Sequence, residues 1–389
     1  MRVLNDNLRN LFGKFQCEQS DVKISFTTFC RMRPKEFNLT QYISRNRCLC
    51  QKHQNMALLL KSVKAAGANV PLNPEDFIKR VQNNDINANE IMTGVKDDKV
   101  SYEQWKRVDC EDGKKRMKIV QHQVSRDELA AFFIKQTCEF QEHTQRIKEQ
   151  YKAMSDLKHG LPPNHVIVQM DFAENFTCVS ADEVQSAYWN QNSITLHPVV
   201  AYYKNDEGTL NHYSYIIVSD DLGHNSGSVF AFIQKLLLPQ MREDIPNIKH
   251  IHHWTVSPSS QYRNKGTFQV VSDHMNLFAV SASWNYFESG HGKGPCDGLG
   301  GTAKRMADLA VRQNKCKIQD AKAIFEWGNS SQTSIKYLFV GSEFITEVRS
   351  DLEQKNIKSV SSVRHHENQS SECSINENYI VLLPRLSFW

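Results

Sequence analysis

No stretch of the 389-residue chain approaches the roughly 18 uninterrupted apolar residues of a membrane span. The opening, Met1 to Arg9, has charged and amide residues where a secretory leader needs an apolar run. Charge of one sign is lacking as well: 47 Lys and Arg against 43 Asp and Glu leave a net charge of +4, too little for overall charge to select a nucleic-acid partner. Glycine (17) and proline (11) are scarce, which excludes collagen-like and low-complexity chains. The ten cysteines are scattered apart from the close pair Cys48 and Cys50, so they form no secreted disulfide framework. What is left is an intracellular, reduced, globular protein with no membrane partner. Its length predicts two or three folding units, each able to bury a core.

The chain divides by composition. Residues 1–124 are an amino-terminal region, basic-tinged at Arg31, Arg33, Arg45 and Arg47, with the knot Cys48-x-Cys50-x-x-His53 and an apolar helical stretch from Met56 to Leu60. Within it, residues 70–125 are polar and predict small elements and loops over a thin core. Residues 125–160 form a helical connector, because Leu129, Phe132, Phe133, Phe140, Ile147 and Tyr151 recur at mostly helical intervals until Gly160-Leu161-Pro162-Pro163 stops them. Residues 161–345 change character to β-branched and aromatic runs, the α/β half, and 346–389 are a linker and small tail. The α/β half reads as strands at 166–171, 193–203 and 212–218, a helix at 226–242, a strand at 248–256, a helix at 264–277, a strand at 279–287 and a helix at 300–314.

That order, β-β-β-α-β-α-β-α, is the order of an RNase H-like mixed sheet flanked by helices. Its chemistry needs carboxylates converging at the sheet centre, where two divalent cations about 3.5–4 Å apart polarise a phosphodiester. Hard Mg²⁺ or Mn²⁺ calls for carboxylate oxygens there. The first strand supplies Asp171 at its end, with Glu174 close behind. A glycine-rich run, Phe287 to Gly301, holds six glycines and two acids, Glu288 and Asp297. Such density demands positive backbone φ or close approach of another chain. An Asp closing a strand into a turn, or an Asp capping a helix near Leu299, is the plainer account of each acid. The fourth strand, Ile251 to Val256, contains no acid.

At these residues the sequence resembles transposase-derived proteins of animal genomes, related to the RNase H-like DDE/D transposases of DNA transposons. The matching strings are Asp171-Phe172-Ala173-Glu174-Asn175, Gln185-Ser186-Ala187-Tyr188-Trp189, Ser219-Asp220-Asp221-Leu222-Gly223-His224, Pro258-Ser259-Ser260-Gln261-Tyr262-Arg263-Asn264, and the run from His291 to Gly301. The resemblance implies a nuclear DNA-binding protein whose ancestor cut and rejoined DNA with Mg²⁺ or Mn²⁺, with Asp171 as first ligand and Asp297 as third. The family's middle motif reads Ser-Asp-Gly; here Thr255, Val256 and Ser257 stand in those places, and Val256 binds no metal. A catalytically impaired, domesticated copy is implied, alone or as a homo-oligomer. Glu174, Asp220, Asp221, Glu288 and His291 are the auxiliary candidates. The alternative is a non-catalytic module that binds DNA or protein.

Two further clusters bear on chemistry. Cys48, Cys50 and His53 are three candidate zinc ligands within six residues, with Cys110, Cys30 or Cys17 as candidates for the fourth; ordinary reduced cysteines beside a helix are the competing account. Arg263, Lys265, Lys293, Lys304 and Arg305 gather positive charge beside the acids, where a DNA backbone would pass, although a solvated helix face has the same composition. Trp189, Trp254 and Trp284 read as core.

Overall fold

The structure is a computed structural model and describes residues 2–3, 8–19, 21–22, 24–34, 37–38, 50–331 and 333–354. It divides into two units, Met1–Leu49 and Cys50–Trp389. In the first, strands β1 (Arg2–Val3) and β2 (Phe37–Asn38) pair in parallel. Helices α1 (Leu8–Glu18) and α2 (Phe26–Arg31) meet through Phe12, Phe15, Phe26 and Phe29, with ring centroids 5.3–5.5 Å apart.

The second unit begins with α3 (Gln51–Ala65), α4 (Pro74–Gln82) and α5 (Ala88–Thr93), then a hairpin of β3 (Lys99–Asp109) and β4 (Lys115–Ser125). A single helix, α6 (Arg126–His159), follows. The loops expected over 70–125 are therefore a hairpin with eleven-residue strands. Its arms alternate weakly because only Val100 and Tyr102 of β3 are buried, and the rest projects Lys, Arg and Gln from both faces. The core beneath it is substantial: Leu59, Leu60 and Val63 of α3 and Phe77 of α4 pack on Leu129 and Phe133 of α6. Helix α6 starts on a capping box. The Ser125 hydroxyl accepts from the Glu128 backbone N–H at 3.3 Å, and the Glu128 carboxylate accepts from the Ser125 N–H at 2.9 Å. Ser125→Ala should lower stability by about 1 kcal/mol, read as a drop in the urea midpoint; an unchanged midpoint would show that the hairpin alone fixes this helix end.

The remainder is the α/β core: β5 (His165–Met170), β6 (Phe176–Thr177), α7 (Gln185–Tyr188), β7 (Ser193–Lys204), β8 (Leu210–Ser219), α8 (Ser226–Phe232), a π-helical turn (Ile233–Leu237), α9 (Leu238–Asp244), β9 (His250–Thr255), α10 (Lys265–Phe278), β10 (Ser281–Tyr286), α11 (Pro295–Arg312), α12 (Ala321–Ser330), β11 (Ile335–Val340) and α13 (Ser342–Gln354). The sheet order is β10-β9-β5-β7-β8-β11, with β6 added to β7. Strands β5, β9 and β10 run parallel, whereas β7 is antiparallel to both β5 and β8. This is the RNase H-like arrangement: the first strand is central, its hairpin partners lie on one side, and the later parallel strands lie on the other.

Both faces are covered. Val166, Val168 and Met170 of β5 pack with α8, α9 and α10 on one side, and Leu196, Ile216 and Val218 pack with Ala303 and Ala307 of α11 and Ile324 of α12 on the other. Strands buried on two faces read as continuous apolar runs, which is why β5, β7 and β8 stand out in sequence. Trp254 and Trp284 are buried as expected, but Trp189, just after the four-residue α7, is 73% exposed. No helix among the described residues is long and apolar enough to cross a membrane.

Candidate functional site

Strand β5 has β7 on one side and β9 on the other, so the chain connections diverge at the β5/β9 boundary. In open α/β sheets the crevice outside the carboxyl ends of strands at such a switch point is where ligands bind. Asp171 sits there, immediately after β5. Parallel pairing of β5 and β9 ends at Gln169 beside Trp254, and Asp171 and Val256 each follow two residues past that last pair.

The third position comes from α11. Pro295 at the first helical position starts this helix five residues earlier than the periodicity predicts, so Asp297 falls in its first turn. The Asp297 carboxylate accepts from the Gly294 N–H at 2.8 Å, which makes it a helix cap, and its charge also reaches Asp171. Burial first, then the Asp297 charge, push the Asp171 carboxyl up to about 7, against a lowering contribution from the Phe172 N–H. The Asp297 charge at the start of α11 is thus felt at Asp171 after β5, and Val256, which follows β9, carries no charge. Two carboxylates fit one hard cation, not the shared ligand set of a cation pair.

The other acids are committed elsewhere. Asp220 accepts from the Ser342 N–H at 2.7 Å and its hydroxyl at 3.2 Å, capping α13. Asp221 accepts from the Gly223 N–H and, at 3.0 Å, from Arg349 of α13. Glu174 faces Lys304, whose ammonium burial lowers while the Glu174 and Asp308 charges support it. Lys293 and Arg305 are exposed, and Arg305 donates to the Thr302 hydroxyl. Arg263 lies near Tyr286, and Lys265 opens α10.

A second constellation lies on the amino-terminal side of the glycine-rich run. Cys50 is the N-cap of α3, and His53 is one turn on, so both point from the same helix end. His143 projects from the middle of α6, and His291 from the loop after β10. Their ligand atoms, one thiol and three imidazoles, all lie within 4.8 Å of one another. Cys50 Sγ is 3.2 Å from His143 Nε2. The His53 and His291 rings are 4.8 Å apart, and those of His143 and His291 5.1 Å. On the far side, His143 Nδ1 is 2.9 Å from Glu288, which Arg146 also approaches at 3.5 Å. Burial would raise the Cys50 thiol, but the three histidines outweigh it and bring it down to about 4. Glu288 is likewise held low by His143 and Arg146 against the opposing effect of burial.

The Cys/His group can hold a metal. Cys50 and His53 were legible as candidate ligands from their spacing, whereas Cys48 lies outside the described residues. The remaining members are His143 and His291, not further cysteines; Cys110 is in the β3–β4 turn. His291 and Glu288, considered above as auxiliaries to the sheet acids, belong to this cluster. Nothing local in the sequence marks His143, which is one polar residue in a 34-residue helix.

Four of the six glycines in the run, Gly290, Gly292, Gly294 and Gly300, are explained by the protein's own packing, whereas a Cβ on Gly298 or Gly301 would meet nothing within 4 Å. Gly290 has φ +78°, and a Cβ there would lie 3.2 Å from the Cys50 Cα. A Cβ on Gly292 would fall 1.9 Å from a Val256 methyl. The loop is therefore pressed between the α3 cap and the end of β9.

A domain family described as a domain of unknown function, DUF8701, matches residues 150–382, more than half of the chain. The chain belongs to the DUF8701 family. A second domain of unknown function, DUF8699, matches residues 1–41. The DUF8701 match takes in the whole sheet, both acids, His291 and Glu288, whereas Cys50, His53 and His143 precede it. No curated protein matches the chain. Among solved structures, the human cytomegalovirus terminase nuclease domain is similar at 12% identity and a TM-score of 0.21, over 51% of this chain and 76% of that one. The strand order, not that likeness, assigns the RNase H-like fold to this DUF8701 protein.

Proposed function

We propose that the protein is a transposase-derived, nuclear DNA-binding protein whose RNase H-like core has lost two-metal cleavage. The observation that supports this reading is that Asp171 and Val256 each stand two residues past the last paired residues of β5 and β9, Gln169 and Trp254, so that an aliphatic side chain occupies the place the chemistry would reserve for a carboxylate. Asp171 and Asp297 remain as a pair able to take one Mg²⁺ or Mn²⁺. A cation between them would offset the burial and the Asp297 charge that raise the Asp171 carboxyl, but the pair of ions that clamps attacking and leaving oxygens would lack a shared third ligand. The DNA backbone would contact Lys293 and Arg305, with Arg263, Lys265 and Lys304 along the same margin, and each phosphate neutralised adds about 0.9 to the salt slope of binding.

Asp places its carboxyl carbon where Val carries one of its two methyl groups, and Gly292 presents no side chain to it, so Val256→Asp tests the reading. The expected result is no Mg²⁺- or Mn²⁺-dependent nicking of duplex DNA by the wild-type chain, nicking by Val256→Asp, and none by Val256→Asp with Asp171→Asn. Salt-dependent DNA binding should be the same in all three. Wild-type nicking at the Val256→Asp rate would remove the claim of lost cleavage, and absence of salt-sensitive binding would remove the claim of a DNA partner.

A further inference from the structure

We propose that Cys50, His53, His143 and His291 bind one zinc ion, and that this ion fastens the glycine-rich loop leading to Asp297 onto α3 and α6. The site stands apart from the reading of the sheet acids and does not depend on it.

The chemistry of the donors decides the metal. One thiolate and three imidazoles are soft to borderline ligands that suit Zn²⁺ and disfavour Mg²⁺ or Ca²⁺. With Zn–S about 2.3 Å and Zn–N about 2.0–2.1 Å, tetrahedral ligands lie about 3.3–3.6 Å apart. The 3.2 Å between Cys50 Sγ and His143 Nε2 matches the separation of two ligands on one ion, and the 4.8 Å limit for the group requires only a small contraction. Four protein ligands fill the tetrahedron and leave no open position, which marks a structural and not a catalytic zinc.

Two orphaned atoms point the same way. His53 Nδ1 and His291 Nε2 are buried and have no hydrogen-bond partner, a condition that costs stability unless something else uses the lone pairs. Around them the supporting shell is already built. Glu288 receives the His143 Nδ1 proton, which leaves Nε2 as the ligand atom, and a carboxylate behind a ligating histidine is the usual arrangement at protein zinc sites. Arg146 and the Gln150 side chain, which accepts from the Glu288 N–H at 2.7 Å, hold that carboxylate in place. Tyr151 donates to the His291 carbonyl at 2.5 Å, so α6 grips the loop on either side of the cluster.

Cys50, His143 and Glu288 taken alone also have the order of a thiol protease triad, in which a base and an orienting acid activate a nucleophile. That arrangement has no use for two more imidazoles with a nitrogen within 4.8 Å of the same sulfur. Zinc uses all four.

The loop consequence follows from chain connectivity. His291 and Asp297 are joined by a run containing Gly292, Gly294 and Pro295, and Gly294 donates its N–H to Asp297. Fixing His291 fixes the start of that run, so the ion is a positioning element for the α11 end of the crevice.

The test uses the full chain purified without chelator. The expected result is one zinc per chain by elemental analysis, and a cobalt-substituted form with the thiolate charge-transfer and intense visible bands of a four-coordinate site. His143→Ala and His291→Ala should lose the metal. Glu288→Gln should keep it with about 10- to 100-fold weaker affinity. Should the alanine variants fail to fold, His291→Cys decides: it should retain cobalt and strengthen the thiolate band. Chelation of the wild type should raise amide exchange in residues 288–297 and open Cys50 to alkylation, read by peptide mapping. Failure of the wild-type chain to bind zinc or cobalt would overturn the proposal, as would equal metal content in the folded histidine variants. Rapid Cys50 alkylation unaffected by chelator would overturn it in favour of a free thiolate.

Discussion

Lowering the pH from 7 to about 5 is expected to destabilise the α/β core by about 3 kcal/mol. Strand β9 and its neighbours bury an unusual number of imidazoles: burial, then mutual repulsion, lowers His250 to about 4 and His252 to about 3, lowers His253 well below its ordinary range, and, with His224, lowers His197 to about 3. These groups stay neutral in the native state and take up protons in the unfolded chain below about 6.5. The unfolded state then binds more protons, so the stability they allow is complete above 6.5 and falls as the pH drops toward 4. At pH 5 His197 and His252 cost about 2 kcal/mol each and the half-buried His250 about 1 kcal/mol after solvent screening, about 5 kcal/mol together, and His253 acts in the same direction. Asp171 opposes them. Its native carboxyl, raised to about 7, is least favourable at neutral pH and regains about 2–3 kcal/mol on acidification to 5. Denaturant titrations followed by the fluorescence of buried Trp254 and Trp284 measure the net slope. Stability that is flat or rising between pH 7 and 5 would show that the histidines are hydrated in the native state. His252→Gln should flatten the curve, because it removes one of the steepest contributors while retaining polarity beside His165 and Ser283.

Those same histidines show where sequence reading succeeds and stops. Strands β5, β7 and β8 are legible because burial on both faces leaves a long unbroken apolar record, and the order of strands and helices then leads to the sheet topology. The acids at the ends of β5 and α11 were legible for the same reason, as polar residues terminating otherwise apolar or glycine-rich segments. The β3–β4 hairpin escaped because its alternation is confined to short stretches, Val100 and Tyr102 in β3 and Val120, His122 and Val124 in β4, and is diluted by exposed Lys, Arg and Gln elsewhere. Cys50 and His53 form a local pair that helical spacing exposes. His143 and His291 join them only through long-range packing of α6 and the β10–α11 loop against α3. A residue type common on helix surfaces carries no mark of that role until the chain is folded, and the glycines that permit the approach signal only that something comes close.

What comes close to Gly292 is Val256, and this contact yields the larger structural prediction. Gly292→Ala should destabilise the protein by about 3 kcal/mol, at the upper end of overpacking costs, because the new methyl would sit 1.9 Å from Val256 Cγ1 and 3.2 Å from its Cβ. Val256 closes a sheet strand and is partly buried against the main core, so the loop is the element that yields. Its displacement should loosen both ends, His291 in the cluster and the Gly294–Asp297 cap. Val256→Ala alone should cost about 1–2 kcal/mol for the lost methyl groups, yet in the double variant it should restore most of what Gly292→Ala removes. Contacting residues give favourable coupling of this kind, whereas independent sites add. Additive losses in the denaturation midpoints would mean that the loop does not rest on β9. Coupling, by contrast, would define the space in which a carboxylate at position 256 has to fit: an aspartate has one branch where valine has a methyl, and the bare Cα of Gly292 is what lets either side chain reach the crevice beside Asp171.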